Sequence, residues 1–270
     1  MTVHIVTGKL GSGKSKISVQ KILDYLERGA LVATNLDIFP ENFTNVYNKT
    51  NRIIRIPDKP LIEDLHSLGS GNDTPDETKN SLIVLDECAS WLNTRSFQDK
   101  DRLKVIDWFI HSRKLGWDLI LIVQNMNMLD KQIREALCEY HITCKRLDRV
   151  RLPFLAYFGL KLPQVHIGII KYGFGNDAMP AGRWVTMSKS LHKYYDTKQI
   201  FKSREFDQSF SGVYSYLTPW HLVGRYLPPK KPVTELLKLY FTWCMVMICS
   251  FLSVTSPEEW ADKYGLLRRR

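Results

Sequence analysis

Gly8-Lys9-Leu10-Gly11-Ser12-Gly13-Lys14-Ser15 lies between a short β-branched run at residues 3–7 and a helical pattern at residues 15–28. The octet fits G-x-x-x-x-G-K-[ST], the phosphate-binding P-loop. Backbone N–H groups must come close to a phosphate, and glycine has no Cβ to block them. A helix starting near Lys14 points its positive end at the same place. Lys14 then sets a point charge on the β- and γ-phosphates of ATP, and the Ser15 hydroxyl can ligate Mg²⁺. All eight residues are candidate nucleotide-binding positions.

Working outward, residues 82–85 are a continuous apolar run, Leu-Ile-Val-Leu, closed by Asp86-Glu87. Such a run predicts a strand buried on both faces, typical of parallel sheets covered by helices. A carboxylate at its end is where a Walker B aspartate would sit. Asp86 is thus the candidate magnesium ligand with Ser15, and Glu87 the candidate general base for the attacking water. A second apolar run at 119–123 ends in Gln124. Gln124 can orient the water or sense the γ-phosphate, or it simply leaves the sheet. His111, Arg113 and Lys114 end the helical pattern of 101–115. Their default role is to satisfy terminal carbonyls, the alternative being an arginine reaching a neighbouring subunit's nucleotide.

Further strands are read at 31–36 and 52–56, an edge strand at 142–147, and helices at 60–68 and 129–137. Strands alternating with helices predict an α/β ATPase domain over residues 1–150, with a mainly parallel sheet of about five strands and helices on both faces. Residues 151–232 form a smaller, basic, Tyr/Pro/Gly-rich extension with β-character. It holds one hairpin, with strands at 165–172 and 183–188, and a stiff linker at 228–232. Residues 69–80 carry no large apolar side chain and read as an exposed loop.

Residues 239–254 contain no charge; adding 236–238 gives 19 residues, about 28 Å of helix. A bilayer core is about 30 Å thick, so 236–254 predicts one transmembrane helix, with Lys238 able to snorkel and Tyr240 and Trp243 at the interfaces. If ATP is the ligand, the P-loop side is cytoplasmic and residues 255–270 form a short external tail.

The 270 residues are 44% hydrophobic and 24% charged, which excludes wholesale disorder and fibrous repeats. A mean hydropathy of -0.22 excludes a polytopic membrane protein. The net charge of +10 is uneven: residues 1–150 hold 21 basic and 20 acidic side chains, and the remainder 17 and 8. A polybasic segment beside a membrane entry point suits anionic lipids first and nucleic acid second. Five cysteines without a CxxC pair argue against a zinc site. No secretory leader is read at the N-terminus.

Taken in order, these pieces resemble the Zot (zonular occludens toxin-like) family of filamentous phage assembly ATPases. The resemblance rests on residues 6–15, Thr34-Asn35-Leu36-Asp37, Leu-Asp-Glu at 85–87, His111-Ser112-Arg113 with Gly116-Trp117-Asp118, Gln124, and Tyr195-Asp196-Thr197. It covers about residues 1–200, and the late span fits it. It implies a P-loop NTPase of the RecA/HerA-FtsK kind, anchored once in the host inner membrane, that drives virion assembly and extrusion. Implied partners are copies of itself, phage coat and export-complex proteins, and phage single-stranded DNA. Implied roles are phosphate and Mg²⁺ binding for Lys14 and Ser15, Mg²⁺ for Asp86, base for Glu87 and sensor for Gln124. Arg113 matches the family's arginine, but Lys114 stands where a histidine is usual. Relatives often carry a larger external domain after the span, and a toxin-like activity tied to such a domain is not implied here. The other readings are a DNA-translocating HerA/FtsK-like ATPase, a soluble small-molecule kinase, and a non-catalytic membrane scaffold.

Overall fold

The structure is a computed structural model that describes residues 2–92, 100–149, 164–175, 177–187, 189–202, 212–230 and 232–251. Residues 2–224 belong to one compact unit and the described residues from 225 to another.

Among the described residues, the first unit is built on one nine-stranded sheet. Six strands run parallel: β1 (Val3–Thr7), β2 (Leu31–Thr34), β3 (Arg52–Arg55), β4 (Ser81–Leu85), β5 (Trp117–Ile122) and β6 (Tyr140–Arg146). β7 (His166–Tyr172) and β8 (Met179–Thr186) add antiparallel beyond β6, and the two-residue β9 (Tyr214–Ser215) adds antiparallel to β3. The order is β8-β7-β6-β1-β5-β4-β2-β3-β9.

Successive side chains on a strand face opposite sides, so a strand covered on both sides must be apolar throughout. Every residue of β4 and β5 is buried. Ile83, Leu85, Leu119 and Leu121 pack on one side with Leu65, Phe109 and Ile133, which come from α2 (Ile62–Ser67), α3 (Lys100–His111) and α4 (Lys131–Leu137). Leu82, Val84, Ile120 and Ile122 pack on the other with Ile17, Val19, Ile22 and Leu26 of α1 (Lys14–Glu27). Each fully buried aliphatic side chain contributes roughly 1.5–3 kcal/mol. Gly29, at φ 79, turns the chain out of α1.

Three expectations need correction. β6 is not an edge strand, for it pairs with β1 on one side and β7 on the other. His141, Thr143 and Lys145 alternate with the buried Ile142 and Cys144, and that alternation imitates an edge. The sheet is wider than five strands. The β-rich residues after 150 continue it rather than forming a layer of their own, because the hairpin of β7 and β8 hydrogen-bonds onto β6. The helix read through 115 ends at His111; a 3₁₀ turn, Ser112–Leu115, carries the chain to Gly116 at φ 71.

In the second unit the apolar segment forms α5 (Val233–Phe251). Leu236, Leu239, Phe241, Trp243, Met245 and Ile248 are each about half exposed or more. No helix among the described residues is long and apolar enough to cross a membrane. The helix starts with Glu235 and Lys238 in its first turns, and residues 252–254 of the expected span lie outside the described residues, as does the tail at 255–270.

Candidate functional site

The P-loop leaves the C-terminal end of β1 and enters α1, and three of its glycines have positive φ: Gly8 at 152, Gly11 at 68 and Gly13 at 92. The need for glycine is steric as well as conformational. A Cβ on Gly13 would fall 2.0 Å from His166 Nδ1, and one on Gly8 would fall 2.6 Å from Ser12 Oγ. The loop is tied to its surroundings, Gly8 N–H donating to the Gln124 carbonyl at 3.3 Å and Ser12 N–H to that of Lys9 at 3.1 Å. Lys14 Nζ reaches back to the Gly8 carbonyl at 3.0 Å.

β4 brings Asp86 to the same end of the sheet. The Ser15 hydroxyl donates to Asp86 Oδ2 at 2.5 Å, and Asp86 Oδ1 accepts the Glu87 N–H at 2.7 Å. Asp86 is held from behind by Asn35, at the end of β2. Asn35 Oδ1 accepts the Asp86 N–H at 2.8 Å, while its Nδ2 donates to the carbonyls of Asp86 at 3.0 Å and Asp58 at 3.1 Å. Asn35 is itself 0% exposed.

Glu87 is the one non-glycine residue with positive φ among the described residues, at φ 52 and ψ 34. This left-handed conformation costs on the order of 1–2 kcal/mol. Strain of this kind concentrates where the fold over-determines a functional position.

A cleft of about 670 Å³ collects these parts. Lys14, Ser15, Asp86, Glu87 and Gln124 all line it. Burial pushes the Asp86 carboxyl above its ordinary value, against the Ser15 hydroxyl, the Glu87 N–H and Lys14. Burial also raises Glu87, followed by the charges of Asp86 and Asp58. Two adjacent carboxylates raised together form a site short of positive charge, which a divalent cation would correct. A hydroxyl and a carboxylate oxygen in contact are hard oxygen donors that suit Mg²⁺, which takes few protein ligands and completes its shell with phosphate and water. The absence of any group of three or more His, Cys, Asp or Glu among the described residues does not conflict with such a site.

Arg113 does not join its own chain's cleft. It lies in the 3₁₀ turn before β5, whereas the cleft lies beyond the opposite, C-terminal ends of the strands. Its guanidinium faces Glu77 at 3.4 Å, with both side chains exposed.

Other lining residues had no local signature. Arg146 ends β6 and donates to the Gly11 carbonyl at 3.3 Å, and His166 opens β7 with Nδ1 3.1 Å from the Ser12 carbonyl. Their strands place them there. The segment carrying Tyr195, Asp196 and Thr197 is stitched to the end of β2. Gln199 Nε2 donates to the Asn35 carbonyl at 2.8 Å, Asp37 N–H to Gln199 Oε1 at 2.8 Å, and Asp196 N–H to the Asp37 carbonyl at 2.8 Å. Asn35 and residues 195–197 had been singled out in the sequence, though without roles.

A family model described as zonular occludens toxin (Zot) matches residues 2–197. The Gene 1 protein of Enterobacteria phage fd is 46% identical across 97% of this chain and 80% of its own length. The Gene 1 protein of Salmonella phage IKe is 42% identical across 94% and 72%. Among solved structures, the N-terminal domain of zonular occludens toxin from Neisseria meningitidis superposes with a TM-score of 0.43 and 17% identity, covering 72% of this chain and 98% of that one. The genome packaging NTPase B204 of Sulfolobus turreted icosahedral virus 2, in complex with ATP-gammaS, gives a TM-score of 0.37 and 14% identity, covering 63% and 91%. At those scores neither likeness bears on how this chain works. The chain belongs to the Zot family.

Proposed function

We propose that this Zot-family chain is a Mg²⁺-dependent ATP hydrolase that powers assembly and extrusion of phage virions through the host envelope. One observation carries the enzymatic part: the Ser15 hydroxyl on Asp86, beside the P-loop lysine and the raised carboxyl of Glu87. In this reading Lys14 and the loop N–H groups hold the β- and γ-phosphates. Ser15 and Asp86 hold the metal, which when bound neutralises charge developing on the phosphates. Glu87 accepts a proton from the attacking water, a task its raised pKa favours. Gln124 positions that water.

Kinship with the Gene 1 proteins of several phages supports a place in phage assembly. The exposed apolar side chains of α5 support seating residues 236–254 in the host inner membrane as a single pass, with the ATPase part cytoplasmic. Homo-oligomers are expected, with coat and export proteins, anionic lipids and phage single-stranded DNA as further partners. An Arg113 supplied from a neighbouring copy suits that oligomer.

The test is ATP turnover by the full chain in lipid. Glu87→Gln is expected to abolish turnover while keeping nucleotide binding, and Lys14→Ala to lose both. Turnover in Glu87→Gln equal to wild type would sink the hydrolytic assignment.

A further inference from the structure

Residues directly opposite each other on paired strands point to the same side of a sheet. Across β6, β7 and β8 this rule separates two faces of different chemistry. Ile142 stands opposite Ile170, and Cys144 and Trp184 flank Gly168, on the side that packs with α1. The other side carries three rows: His141 with Lys171 and Pro180, Thr143 with Ile169 and Arg183, and Lys145 with Ile167 and Val185. Lys145, Lys171 and Arg183 are exposed, one on each strand, while Ile167 and Ile169 are half-buried between them. Burial lowers the pKa of His141, and the charge of Lys171 lowers it further, as a shared row requires. No Asp or Glu occurs in the three strands. The carboxylates at their ends are Glu139, which accepts the Val3 N–H at 3.4 Å, Asp148, held by Arg146, and Asp177 in the loop between β7 and β8.

A face that gathers cations with no acid among them is complementary to a polyanion. Strands lie about 4.8 Å apart, and alternate residues about 6.7 Å along each. Arg183 therefore stands roughly 8 Å from Lys171 and roughly 12 Å from Lys145 in the plane of the sheet. A few nucleotides of one strand can touch all three. The relief of the face selects among polyanions. A bilayer surface would need the apolar side chains outermost, but here the isoleucines are recessed and the cations stand above them. A duplex keeps its base faces stacked inside and would set only phosphates over the isoleucines. A single strand offers phosphates to the cations and base faces to the apolar floor at once. Beyond the Lys171 row, the exposed Phe174 adds an aromatic face, with the Arg134 guanidinium 5.6 Å from its ring centre.

We propose that this face of β6, β7 and β8 binds single-stranded nucleic acid, with Lys145, Lys171 and Arg183 on its phosphates and Ile167, Ile169 and Phe174 under its bases. The proposal gives the nucleic-acid partner of the assembly reading a place on the fold, and rests on that reading for the source of the strand, phage DNA. β6 and β7 also carry Arg146 and His166 to the cleft, so the bound nucleic acid lies on the same two strands that wall the nucleotide.

The test is fluorescence anisotropy of a labelled single-stranded oligonucleotide of about 20 nucleotides with the full chain in detergent. Wild type is compared with Lys145→Gln/Lys171→Gln/Arg183→Gln and with Lys79→Gln/Lys114→Gln/Lys193→Gln, a control that removes the same charge from exposed positions elsewhere. Each phosphate neutralised on a single strand contributes about 0.7 to the slope of log affinity against log salt. The face variant should flatten that slope by about 2 and bind at least about tenfold more weakly near 50 mM salt, while the control keeps the wild-type slope. Lys145→Arg/Lys171→Arg/Arg183→Lys should bind as wild type does. All three substituted cations are exposed, so melting and ATP turnover without oligonucleotide should be unchanged. Should the face variant fail to fold, Arg183→Gln alone should flatten the slope by about 0.7. A slope unchanged in the face variant, or changed equally in the control, overturns the proposal. So does equal affinity for a duplex of the same length. So does loss of binding to phosphatidylglycerol vesicles with oligonucleotide binding intact, since the face would then serve a lipid surface. ATP turnover by a wild type that binds no oligonucleotide overturns the face and leaves the hydrolase; oligonucleotide binding without turnover does the reverse.

Discussion

Replacing Asn35 by alanine should cost this fold more than any comparably small polar truncation on its surface. The Asn35 side chain satisfies the N–H and carbonyl of Asp86 and the carbonyl of Asp58, at 2.8, 3.0 and 3.1 Å. The site is closed to solvent, since Asn35 is 0% exposed. A buried polar group left unpaired costs roughly 1–3 kcal/mol, and the carbonyls, with two lone pairs each, sit at the low end. The sum is on the order of 3 kcal/mol, a large share of a typical 5–15 kcal/mol stability. For a chain of this size it lowers the melting temperature by about 6–12 °C. Asn35→Asp should fare no better, because the two carbonyls that accepted from Nδ2 would then face a second acceptor. The measurement is thermal melting of the full chain, monitored by tryptophan fluorescence, with ATP turnover measured well below the melt. Turnover should fall with stability, since Asp86 loses its fixed position. An Asn35→Ala protein that melts within a degree of wild type and hydrolyses ATP normally would refute the account of Asp86 as a residue held from behind.

Other perturbations separate the remaining claims. Gly13→Ala places a Cβ against His166 at a left-handed φ of 92, a strain on the order of 1–3 kcal/mol before the clash is counted. Protection of the protein by ATP in a thermal melt should disappear. Arg113→Ala should leave the melt and nucleotide affinity unchanged, because Arg113 and Glu77 are exposed; only turnover by assembled subunits should fall, as a comparison of dilute and lipid-assembled protein would reveal. His4 lies against Tyr140 and Trp184, and burial pushes its pKa from 6.5 down to about 4. The unfolded chain therefore binds this proton first. Stability on the order of 3 kcal/mol is present above pH 6.5 and is lost as pH falls from 6.5 to about 4. His4→Gln should flatten that part of the pH–stability curve measured by chemical denaturation.

Much of the site was legible because its chemistry is local. The P-loop needs glycine, lysine and serine at fixed offsets, and Asp86 announces itself by closing a buried strand. Local readings failed where pairing decides. Nothing near Arg146 or His166 in sequence says that β6 lies beside β1, or that β7 returns antiparallel to set an imidazole where a Gly13 side chain would be. Nothing in the helical pattern of α1 marks Lys16 as a buried residue. Arg113 lies outside its own chain's cleft for the converse reason. It sits among polar residues beside a helix end, as a functional arginine can, yet the strand that follows carries the chain away from it toward the cleft.

The position of β1 sets a timetable. β1 precedes the other described strands in the chain and lies inside the sheet, flanked by β5 and β6 and not by β2. Val3 must wait for Leu119, and His4 for Ile120, before either has a neighbour on the sheet. Loop closures of that length are slow and come late in folding. The P-loop is thus made before the strands that flank β1 and is among the last parts to take shape. The cleft stays incomplete until β7 delivers His166 and residues 195–199 close on the end of β2, so the stretch holding every recognisable nucleotide motif is not a part that can be separated from the rest.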